Sequence, residues 1–254
     1  MDVELIIDDV QVTAPENASV LDAARRAGVD IPALCHHEAV PAIASCRLCL
    51  MEVRRPGRDW VQLTTSCDYP VSAGLVVVTD SPRIRKHRAM NLQLLLRRAP
   101  DAPVLRRLAE EFGVTKPLFA PVTDAPLQDC ILCELCVRVC SALGYDALAA
   151  IGRGEHKRIG PPFGQAAAED CVGCGSCVEA CPTDCIAMED TATTRTIWGR
   201  TFDLQACERC GRPIATREHA AATAAATELP DKNDGLCDGC KRRLVSERLA
   251  APGR

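Results

Sequence analysis

The sequence predicts an α+β fold divided into several small domains, and three observations lead to this prediction. Short stretches with strand periodicity alternate with helical stretches along the 254 residues. The chain contains 17 cysteines, which fall into separate groups. Only 3% of the residues are aromatic, and a core with so few large rings needs another source of cohesion, such as disulfides or bound metal.

Charge and hydropathy exclude several functional classes. The N-terminus, MDVELIIDDV, is acidic and lacks the basic and apolar regions of a secretory signal. Apolar runs such as GLVVV are far too short to cross a bilayer. A formal net charge of −4 gives no electrostatic footprint for nucleic acid. We therefore expect a cytoplasmic chain without a membrane span, whose reduced thiols bind metal and do not form disulfides.

Strands and one helix are expected at the start of the chain. The stretch VELIIDDVQVT (3–13) has the pattern of two short strands around an Asp-Asp turn. Ser19 is the expected N-cap of the following helix, which Gly28 ends. Further strands are predicted over SCRLCLMEV (45–53) and GLVVVT (74–79), and the turn RRPGRD separates the first of these from WVQLTT.

The stretch 81–99 predicts a helix. Ser81 is the expected N-cap, and Pro82 suits the first helical position because its missing N–H needs no partner there. The expected apolar positions are Ile84, Met90, Leu94 and Leu95. The buried face of the helix should therefore run through these four side chains.

A second helix is expected over 101–113, with Asp101 as its N-cap and Gly113 as its end. The residues expected on its apolar side are Leu105, Leu108 and Phe112. The proline-rich stretch KPLFAPVTDAP (116–126) then predicts a linker into the next domain.

Two cysteine runs follow, DCILCELCVRVC (129–140) and DCVGCGSCVEACP (170–182). In each run, three cysteines spaced by three can reach three corners of one small cube of iron and sulfide. The fourth starts a helix that leads away and belongs to the other cube. The predicted ligands are Cys130, Cys133, Cys136 and Cys181 for one [4Fe–4S] cluster, and Cys171, Cys174, Cys177 and Cys140 for the other. Two zinc knuckles are the alternative, although zinc sites pair CxxC units and not triplets.

A third group of cysteines lies near the N-terminus. A long loop, a CxxC and a distant fourth cysteine are typical of [2Fe–2S] ligation. The predicted ligands are Cys35, Cys46, Cys49 and Cys67. His36 and His37 follow the first ligand, so a histidine-ligated cluster is conceivable. Since four cysteines already suffice, we expect these histidines to orient a ligand or to lie at the surface.

These motifs resemble known families. The twin runs are similar to the two-cluster bacterial ferredoxins. The N-terminal motifs PALCHH and SCRLC, with Cys67, resemble the β-grasp domain that opens the large iron–sulfur subunit of respiratory complex I. They resemble equally the diaphorase iron–sulfur subunit of NAD(P)-linked [NiFe] hydrogenases and the N-terminus of [FeFe] hydrogenases. The resemblance implies a β-grasp [2Fe–2S] domain over 1–80 and a two-[4Fe–4S] ferredoxin domain over 127–190.

The segment between these domains departs from the complex I pattern. In that family, the helix after the [2Fe–2S] domain leads to a further cluster with His-x3-Cys-x2-Cys-x5-Cys ligation. The equivalent positions here are Arg98, Ala102, Leu105 and Glu111, and none can ligate a cluster in that pattern. The resemblance therefore implies that residues 81–126 are a helical connector whose cluster has been lost. This departure favours a compact diaphorase or hydrogenase-type subunit.

The C-terminal part, 191–254, is predicted to be a zinc-ribbon-like tail. It carries two CxxC units around HAAATAAATELP (219–230), which is expected to be helical and partly exposed. Zinc is the default metal for four such thiolates, and a mononuclear iron or another [4Fe–4S] cluster is the alternative. The four ligands are Cys207, Cys210, Cys237 and Cys240. A docking role is expected for the tail, and Cys185 remains as a small buried residue.

No Ser/His/Asp set, P-loop or GxGxxG turn after a strand is found, so we expect neither a catalytic residue nor a nucleotide or flavin site. The sequence predicts an electron-transfer subunit with one [2Fe–2S] cluster, two [4Fe–4S] clusters and one zinc. Its expected partners are a flavin/NAD(P)-binding subunit and a hydrogenase or dehydrogenase catalytic subunit. An NAD(P)-linked hydrogenase is favoured, and a formate-dehydrogenase-type or complex-I-like assembly is the alternative. A free-standing carrier or redox-sensing regulator is the alternative from another class.

Overall fold

A computed structural model describes residues 1–123, 127–162, 167–226 and 235–250. Its mixture of helices and strands agrees with the predicted fold class at this level. The first unit is a five-stranded mixed sheet in the order β2-β1-β5-β3-β4, in which β1 and β5 are parallel and the other pairs are antiparallel. The strands are β1 (Asp2–Ile7), β2 (Val10–Pro15), β3 (Leu50–Arg54), β4 (Gln62–Thr65) and β5 (Val76–Val78).

The predicted turn and first helix are confirmed. Asp8 and Asp9 join β1 to β2 with φ angles of 48° and 66°, a left-handed conformation that aspartate tolerates and hairpin turns require. Helix α1 (Val20–Arg26) begins after Ser19, whose side-chain oxygen accepts a hydrogen bond from the Asp22 N–H. Fully buried Leu21 packs into the core between this helix and the sheet.

The strand predicted over 45–53 begins later than expected. Only Leu50–Arg54 forms β3, and residues 45–49 are loop, with Arg47 at a φ of 55°. The reason lies in the backbone hydrogen bonds, because the Cys46 N–H donates to the sulfur of Cys35 and is not available to a strand partner.

Helix α2 (Pro82–Arg98) has the predicted cap but a different buried face. The Ser81 side chain accepts a hydrogen bond from the Ile84 N–H at 3.2 Å. The prediction for Met90 and Leu94 is wrong, since they are 47% and 49% exposed. The buried positions of this helix are Ile84, Arg88, Leu92 and Gln93. A charged residue can occupy this face because the Arg88 guanidinium donates to the carbonyls of Leu48 and Leu50, both at 2.8 Å.

Helix α3 (Pro103–Glu111) differs from its prediction at the start. Ala102 occupies the cap position without a side-chain bond, and Asp101 instead pairs with Arg106. A proline at the first position leaves one fewer N–H to cap, which reduces the need for an aspartate there. Leu105 and Leu108 are buried as predicted, and Gly113 follows the helix with a φ of 69°.

The cysteine runs and the segment between them differ from the prediction. The helix expected to start at the fourth cysteine of each run begins earlier, because α4 (Leu135–Ala142) starts before Cys136 and already contains Cys140, and α5 (Ser176–Glu179) ends before Cys181. Between them, β6 (Ala149–Ile151) and β7 (Arg158–Gly160) form a two-stranded antiparallel sheet. Part of the predicted linker, residues 124–126, lies outside the described residues.

The C-terminal part contains an antiparallel four-stranded sheet in the order β11-β10-β9-β8. Its strands are β8 (Met188–Asp190), β9 (Thr194–Ile197), β10 (Arg200–Ala206) and β11 (Pro213–Thr216). Helix α6 (Arg217–Ala226) confirms the expected helix in its described part, and residues 227–230 lie outside the described residues. Helix α7 (Asp238–Ala250) follows. In the part of the chain that the structure describes, no helix is long and apolar enough to span a bilayer.

Candidate metal centres

The structure brings the four predicted N-terminal ligands together, and all four are buried. Cys35 follows α1, Cys46 and Cys49 precede β3, and Cys67 follows β4. The Cys46 N–H donates to Cys35 Sγ at 3.3 Å, and the thiols of Cys49 and Cys67 share a hydrogen bond. The two pairs are close enough that Cys35 acts electrostatically on Cys49 and Cys67. One group of four thiols therefore lies inside the first unit.

Hydrogen bonds between these thiols separate their acidities. The hydrogen bond with Cys35 lowers the pKa of Cys46 to about 7, and the one with Cys67 lowers the pKa of Cys49 to about 7. Their partners shift the other way, because the shared hydrogen bond and burial both raise the pKa of Cys35 and of Cys67. Metal ligation requires thiolates, so a metal bound by these four groups would displace their remaining protons.

His36 and His37 have polar partners of their own. The His36 ring lies 3.6 Å from Asp22 and 3.3 Å from the Arg25 guanidinium, and burial lowers its pKa. The His37 ring nitrogen Nδ1 accepts a hydrogen bond from the Ala39 N–H. These contacts support the prediction that neither histidine is a ligand alongside the four cysteines. No observation tests it, so it stays a prediction.

The twin runs line two separate cavities. Both cavities are small and mostly enclosed by the chain. Thiol-bearing residues of the first are Cys130, Cys133, Cys136, Cys181 and Cys185. Those of the second are Cys140, Cys171, Cys174 and Cys177. The fourth cysteine of each run thus lies at the cavity of the other run, which is the arrangement that the predicted cross-ligation requires.

The two ligand loops have the same backbone shape but different residues. In the second loop, Gly173 and Gly175 have φ angles of 65° and 84°. The corresponding positions of the first loop are Leu132 and Glu134, with φ angles of 55° and 59°. A left-handed conformation costs a non-glycine residue roughly 1–2 kcal/mol, so the first loop needs compensating contacts that the second does not. The left-handed conformation turns backbone N–H groups toward sulfur. The Leu132 N–H, for example, donates a hydrogen bond to the Cys130 thiol, which lowers its pKa.

Burial sets the protonation of several thiols at the two cavities. It raises the pKa of Cys133 to about 12 and the pKa of Cys177 to about 11. A hydrogen bond from the Trp198 side chain opposes the shift at Cys177. A metal centre at either cavity would therefore displace protons from buried thiols.

Cys185 lies closer to the first cavity than the sequence suggested. It is half-buried, and its sulfur lies 3.5 Å from the sulfur of Cys181. The prediction of a buried residue is thus only partly right, since Cys185 is a fifth thiol at this cavity. The sequence signal for this was the short spacing in CPTDC, where Cys185 follows the predicted ligand Cys181 by only four residues.

Sequence reasoning missed three side chains that contact the ligand loops. The Trp198 indole N–H donates to Cys177 Sγ at 3.5 Å, from a turn in which Trp198 has a φ of 53°. The Arg138 guanidinium donates to the carbonyl of Cys35 at 2.8 Å and to that of Cys133 at 3.2 Å. Arg98 donates to the carbonyl of Cys130 at 3.2 Å. Apart from the bond between Arg138 and Cys133, each contact joins residues more than twenty positions apart, so no local pattern could reveal it.

An apolar cluster occupies the space between the first cysteine group and the first cavity. At the four positions that were compared with the ligands of a further cluster, Ala102 and Leu105 are buried, whereas Arg98 binds a carbonyl and Glu111 is exposed. Ala102 and Leu105 pack in one cluster with the ligand positions Cys35, Cys46 and Cys133. Packed side chains therefore link the two sites directly.

The four C-terminal cysteines form a tighter group than the other twelve. Their sulfurs all lie within 4.8 Å of one another, and those of Cys210 and Cys237 are 3.7 Å apart. Four thiolates around one tetrahedral ion at 2.3 Å are expected about 3.8 Å apart, which agrees with this spacing. Across the described ranges, no other set of cysteine, histidine or acidic side chains is gathered so closely. The donor set fits a single ion better than a cube, whose thiolates bind four different irons.

Two domain families match the chain. A 2Fe-2S iron-sulfur cluster binding domain matches residues 1–82, and a 4Fe-4S dicluster domain matches residues 125–188. The chain therefore has one domain of each kind, with the connector between them and the C-terminal sheet beyond them.

Known proteins are similar to almost two thirds of this chain. The chain is 31% identical to a chain in the crystal structure of NAD+-reducing [NiFe]-hydrogenase in the H2-reduced state, with a TM-score of 0.55 over 63% of this chain and 75% of that one. It is 28% identical to an NADH-quinone oxidoreductase subunit of Rickettsia prowazekii and 31% identical to the NADH-ubiquinone oxidoreductase 78 kDa subunit of Candida albicans. These alignments cover 62% and 63% of this chain but only 26% and 25% of the relatives. The chain thus spans about a quarter of the curated relatives that it matches, and the resemblance predicted from its motifs is confirmed.

Proposed function

The chain belongs to the iron–sulfur subunit family shared by NAD+-reducing [NiFe]-hydrogenase and NADH-quinone oxidoreductase, and on that premise we propose that it relays single electrons between two partner subunits. It would do so through one [2Fe–2S] and two [4Fe–4S] clusters. We propose a flavin/NAD(P)-binding subunit on one side and a hydrogenase-type catalytic subunit on the other. An NAD(P)-linked hydrogenase is favoured, since the hydrogenase chain is the relative of which this chain covers three quarters.

One observation carries the proposal, namely that each cavity is lined by three cysteines of one run and the fourth cysteine of the other. We therefore assign Cys130, Cys133, Cys136 and Cys181 to the first cube, and Cys171, Cys174, Cys177 and Cys140 to the second. When bound, such centres accept and release single electrons at potentials set by burial, charge and hydrogen bonds to sulfur. The shared ligand runs hold the two cavities at a short, fixed separation.

The N-terminal thiols complete the proposed relay. We assign Cys35, Cys46, Cys49 and Cys67 to the [2Fe–2S] cluster. The parallel pairing of β1 and β5 with a helix across the sheet supports a β-grasp fold for residues 1–80. We place the helical connector at 81–126, the two-cube domain at 127–190 and the tail at 191–254.

We propose zinc as the metal of the tail, bound by Cys207, Cys210, Cys237 and Cys240. The close spacing of the four sulfurs supports a mononuclear site, and a closed set of four thiolates is typical of structural zinc. The two CxxC units, one in the turn between β10 and β11 and one at the start of α7, support a zinc-ribbon-like tail.

Metal analysis tests the proposed function. Anaerobically purified protein should contain about ten irons and one zinc per chain, with EPR signals of one binuclear and two tetranuclear centres. The subunit should co-purify with a flavin-containing partner, whereas a free-standing carrier would run alone. Zinc in place of iron at the twin runs would contradict the relay, and about fourteen irons would place a third cube in the tail.

Substitution of Trp198 by phenylalanine should lower the midpoint potential of the second cube alone. The indole N–H stabilises the more negative reduced state through Cys177, and phenylalanine keeps an aromatic ring but cannot donate. We expect a shift of roughly 60 mV, a tenfold change for one electron, in an EPR-monitored redox titration. Trp60, which is 54% exposed, offers the matched control Trp60→Phe. Equal shifts in both cubes would contradict a specific contact.

A further inference from the structure

We propose that the C-terminal sheet and the four-cysteine site together form a clasp on the second ligand loop, residues 168–177. The metal of the tail would then determine how firmly the second cube is held, while the first cube and the [2Fe–2S] cluster would be independent of it. This inference rests on the proposed assignment of iron–sulfur clusters to the cavities. It gives the tail a role within the chain, in addition to any docking role.

Side chains of the sheet bind the carbonyls of this loop. Arg195, on β9, donates to the carbonyls of Gly173 and Cys174 at 3.2 and 3.3 Å. Arg200, on β10, donates at 3.1 Å to each of the carbonyls of Ala168, Glu169 and Cys171. The Thr216 hydroxyl, on β11, donates to the carbonyl of Val172. A tight loop has no strand or helix partner for these carbonyls, so the sheet satisfies groups that would otherwise cost free energy.

The loop also lies in close contact with the sheet. A Cβ atom added to Gly173 would stand 2.7 Å from the Phe202 ring and 3.0 Å from the Thr216 methyl group. Phe202 is 1% exposed, and the Arg200 guanidinium stacks over its ring at 4.6 Å. At the β9–β10 turn, Trp198 reaches the sulfur of Cys177. Strands β9, β10 and β11 therefore all touch this one loop.

The first ligand loop is held by other elements. Within the described residues, the side chains that donate to its carbonyls are Ser45 to Leu132, Arg98 to Cys130 and Arg138 to Cys133. These donors lie before β3, on α2 and on α4. Loosening the C-terminal sheet should therefore affect the second loop before the first.

The four-cysteine site is built into the same sheet. Cys207 directly follows β10, and residues 207–212 form the turn between β10 and β11, closed by a 2.8 Å bond from the Cys207 N–H to the Arg212 carbonyl. The Cys237 N–H donates to Cys207 Sγ at 3.3 Å, which ties the turn to the start of α7. A metal bound by both CxxC units would fasten this turn.

Strand β11 depends on that turn for its position. It is an edge strand of four residues, its pairing with β10 shifts register between Gln205 and Ala206, and Pro213 cannot donate to the ladder. Thr216, which binds the second loop, pairs with Leu204 three residues from Cys207. A structural metal supplies folding free energy to such a weakly paired segment.

The test uses the purified full-length protein in its complex. Cys210 is the exposed member of the four-cysteine site, so Cys210→Ser removes one ligand with little change to packing. We expect zinc to be lost and the EPR signal of the second cube to decay about tenfold faster under a chelator, because the loop opens more often. The first cube and the [2Fe–2S] signal should decay as in the wild type. Glu247→Gln, which breaks only an exposed ion pair with Arg209, is the control and should keep both zinc and the wild-type decay.

If Cys210→Ser fails to fold or keeps its metal, a second variant tests whether the C-terminal sheet holds the second ligand loop. Thr216→Val removes the hydroxyl that binds Val172 and leaves all four cysteines in place, and Thr216→Ser restores the hydroxyl. The valine variant should keep zinc and show faster decay of the second cube only. The serine variant should keep zinc and show the wild-type decay, because it retains the hydroxyl.

Two results would overturn the clasp. One is loss of zinc with an unchanged second cube, and the other is equal loss of all three signals, which would mean that the metal stabilises the whole chain. A wild-type protein without iron at the second cavity would instead contradict the proposed function. The two failures are therefore distinguishable by the metal content of the unmutated protein.

Discussion

Substitution of Cys140 by serine should remove the second cube and leave the first intact, although Cys140 belongs to the first run. Cys140 lines the second cavity together with Cys171, Cys174 and Cys177. Loss of one thiolate from a four-thiolate site leaves an iron without its protein ligand, so we expect the iron content to fall by about four per chain. Metal analysis and EPR of the reduced protein would measure this.

The matching variant tests the other half of the exchange. Cys181→Ser should remove the first cube, but it must be combined with Cys185→Ser, because the Cys185 sulfur lies 3.5 Å from that of Cys181. Cys185→Ser alone is the control and should keep about ten irons. If Cys140→Ser removed the signal that Trp198→Phe leaves unshifted, each run would ligate its own cube and the exchange would be refuted.

Substitution of Leu105 by alanine should destabilise the protein by about 2–5 kcal/mol. Leu105 is fully buried in the apolar cluster that contains Cys35, Cys46 and Cys133, and its truncation leaves a cavity between two metal sites. Urea unfolding of the anaerobic protein, followed by circular dichroism, would measure the change in the free energy of unfolding.

Leu94→Ala is the matched control for this prediction. Leu94 lies on neighbouring helix α2 and is 49% exposed, so its truncation should change the free energy of unfolding by less than about 0.5 kcal/mol. Equal effects of the two substitutions would show that the connector does not pack as a core. Leu105→Ala should also change the [2Fe–2S] EPR signal, since Cys35 and Cys46 pack in the same apolar cluster as Leu105.

Local chemistry made part of the fold predictable. Ser19 and Ser81 cap helices, and Asp8 and Asp9 form a hairpin turn, because each of these features depends on residues a few positions apart. The spacing of the cysteines also predicted that Cys140 and Cys181 are exchanged between the two runs. Each of them lines the cavity of the other run, and their ligation of a cluster stays a prediction.

The remainder depended on contacts between distant residues. Periodicity placed Met90 and Leu94 in the core, but Arg88 is buried there instead because two carbonyls of the loop before β3 accept its hydrogen bonds. The segment around Cys46, predicted as a strand, is a loop because the Cys46 N–H donates to the Cys35 sulfur. Trp198 and Arg138 carry no motif, and only the folded chain brings them to the cysteines.

Arg138 has a consequence for the rate at which an electron could cross from one domain to the next. One guanidinium nitrogen binds the carbonyls of Cys35 and Cys133, so these carbonyls can be no further apart than two bonds of 2.8 and 3.2 Å laid end to end. Tunnelling through protein slows steeply with distance. If the clusters occupy their assigned sites, the Arg138 guanidinium keeps the [2Fe–2S] cluster and the first cube close together. Electrons could then pass between these two clusters in one tunnelling step, without a further cluster in the connector.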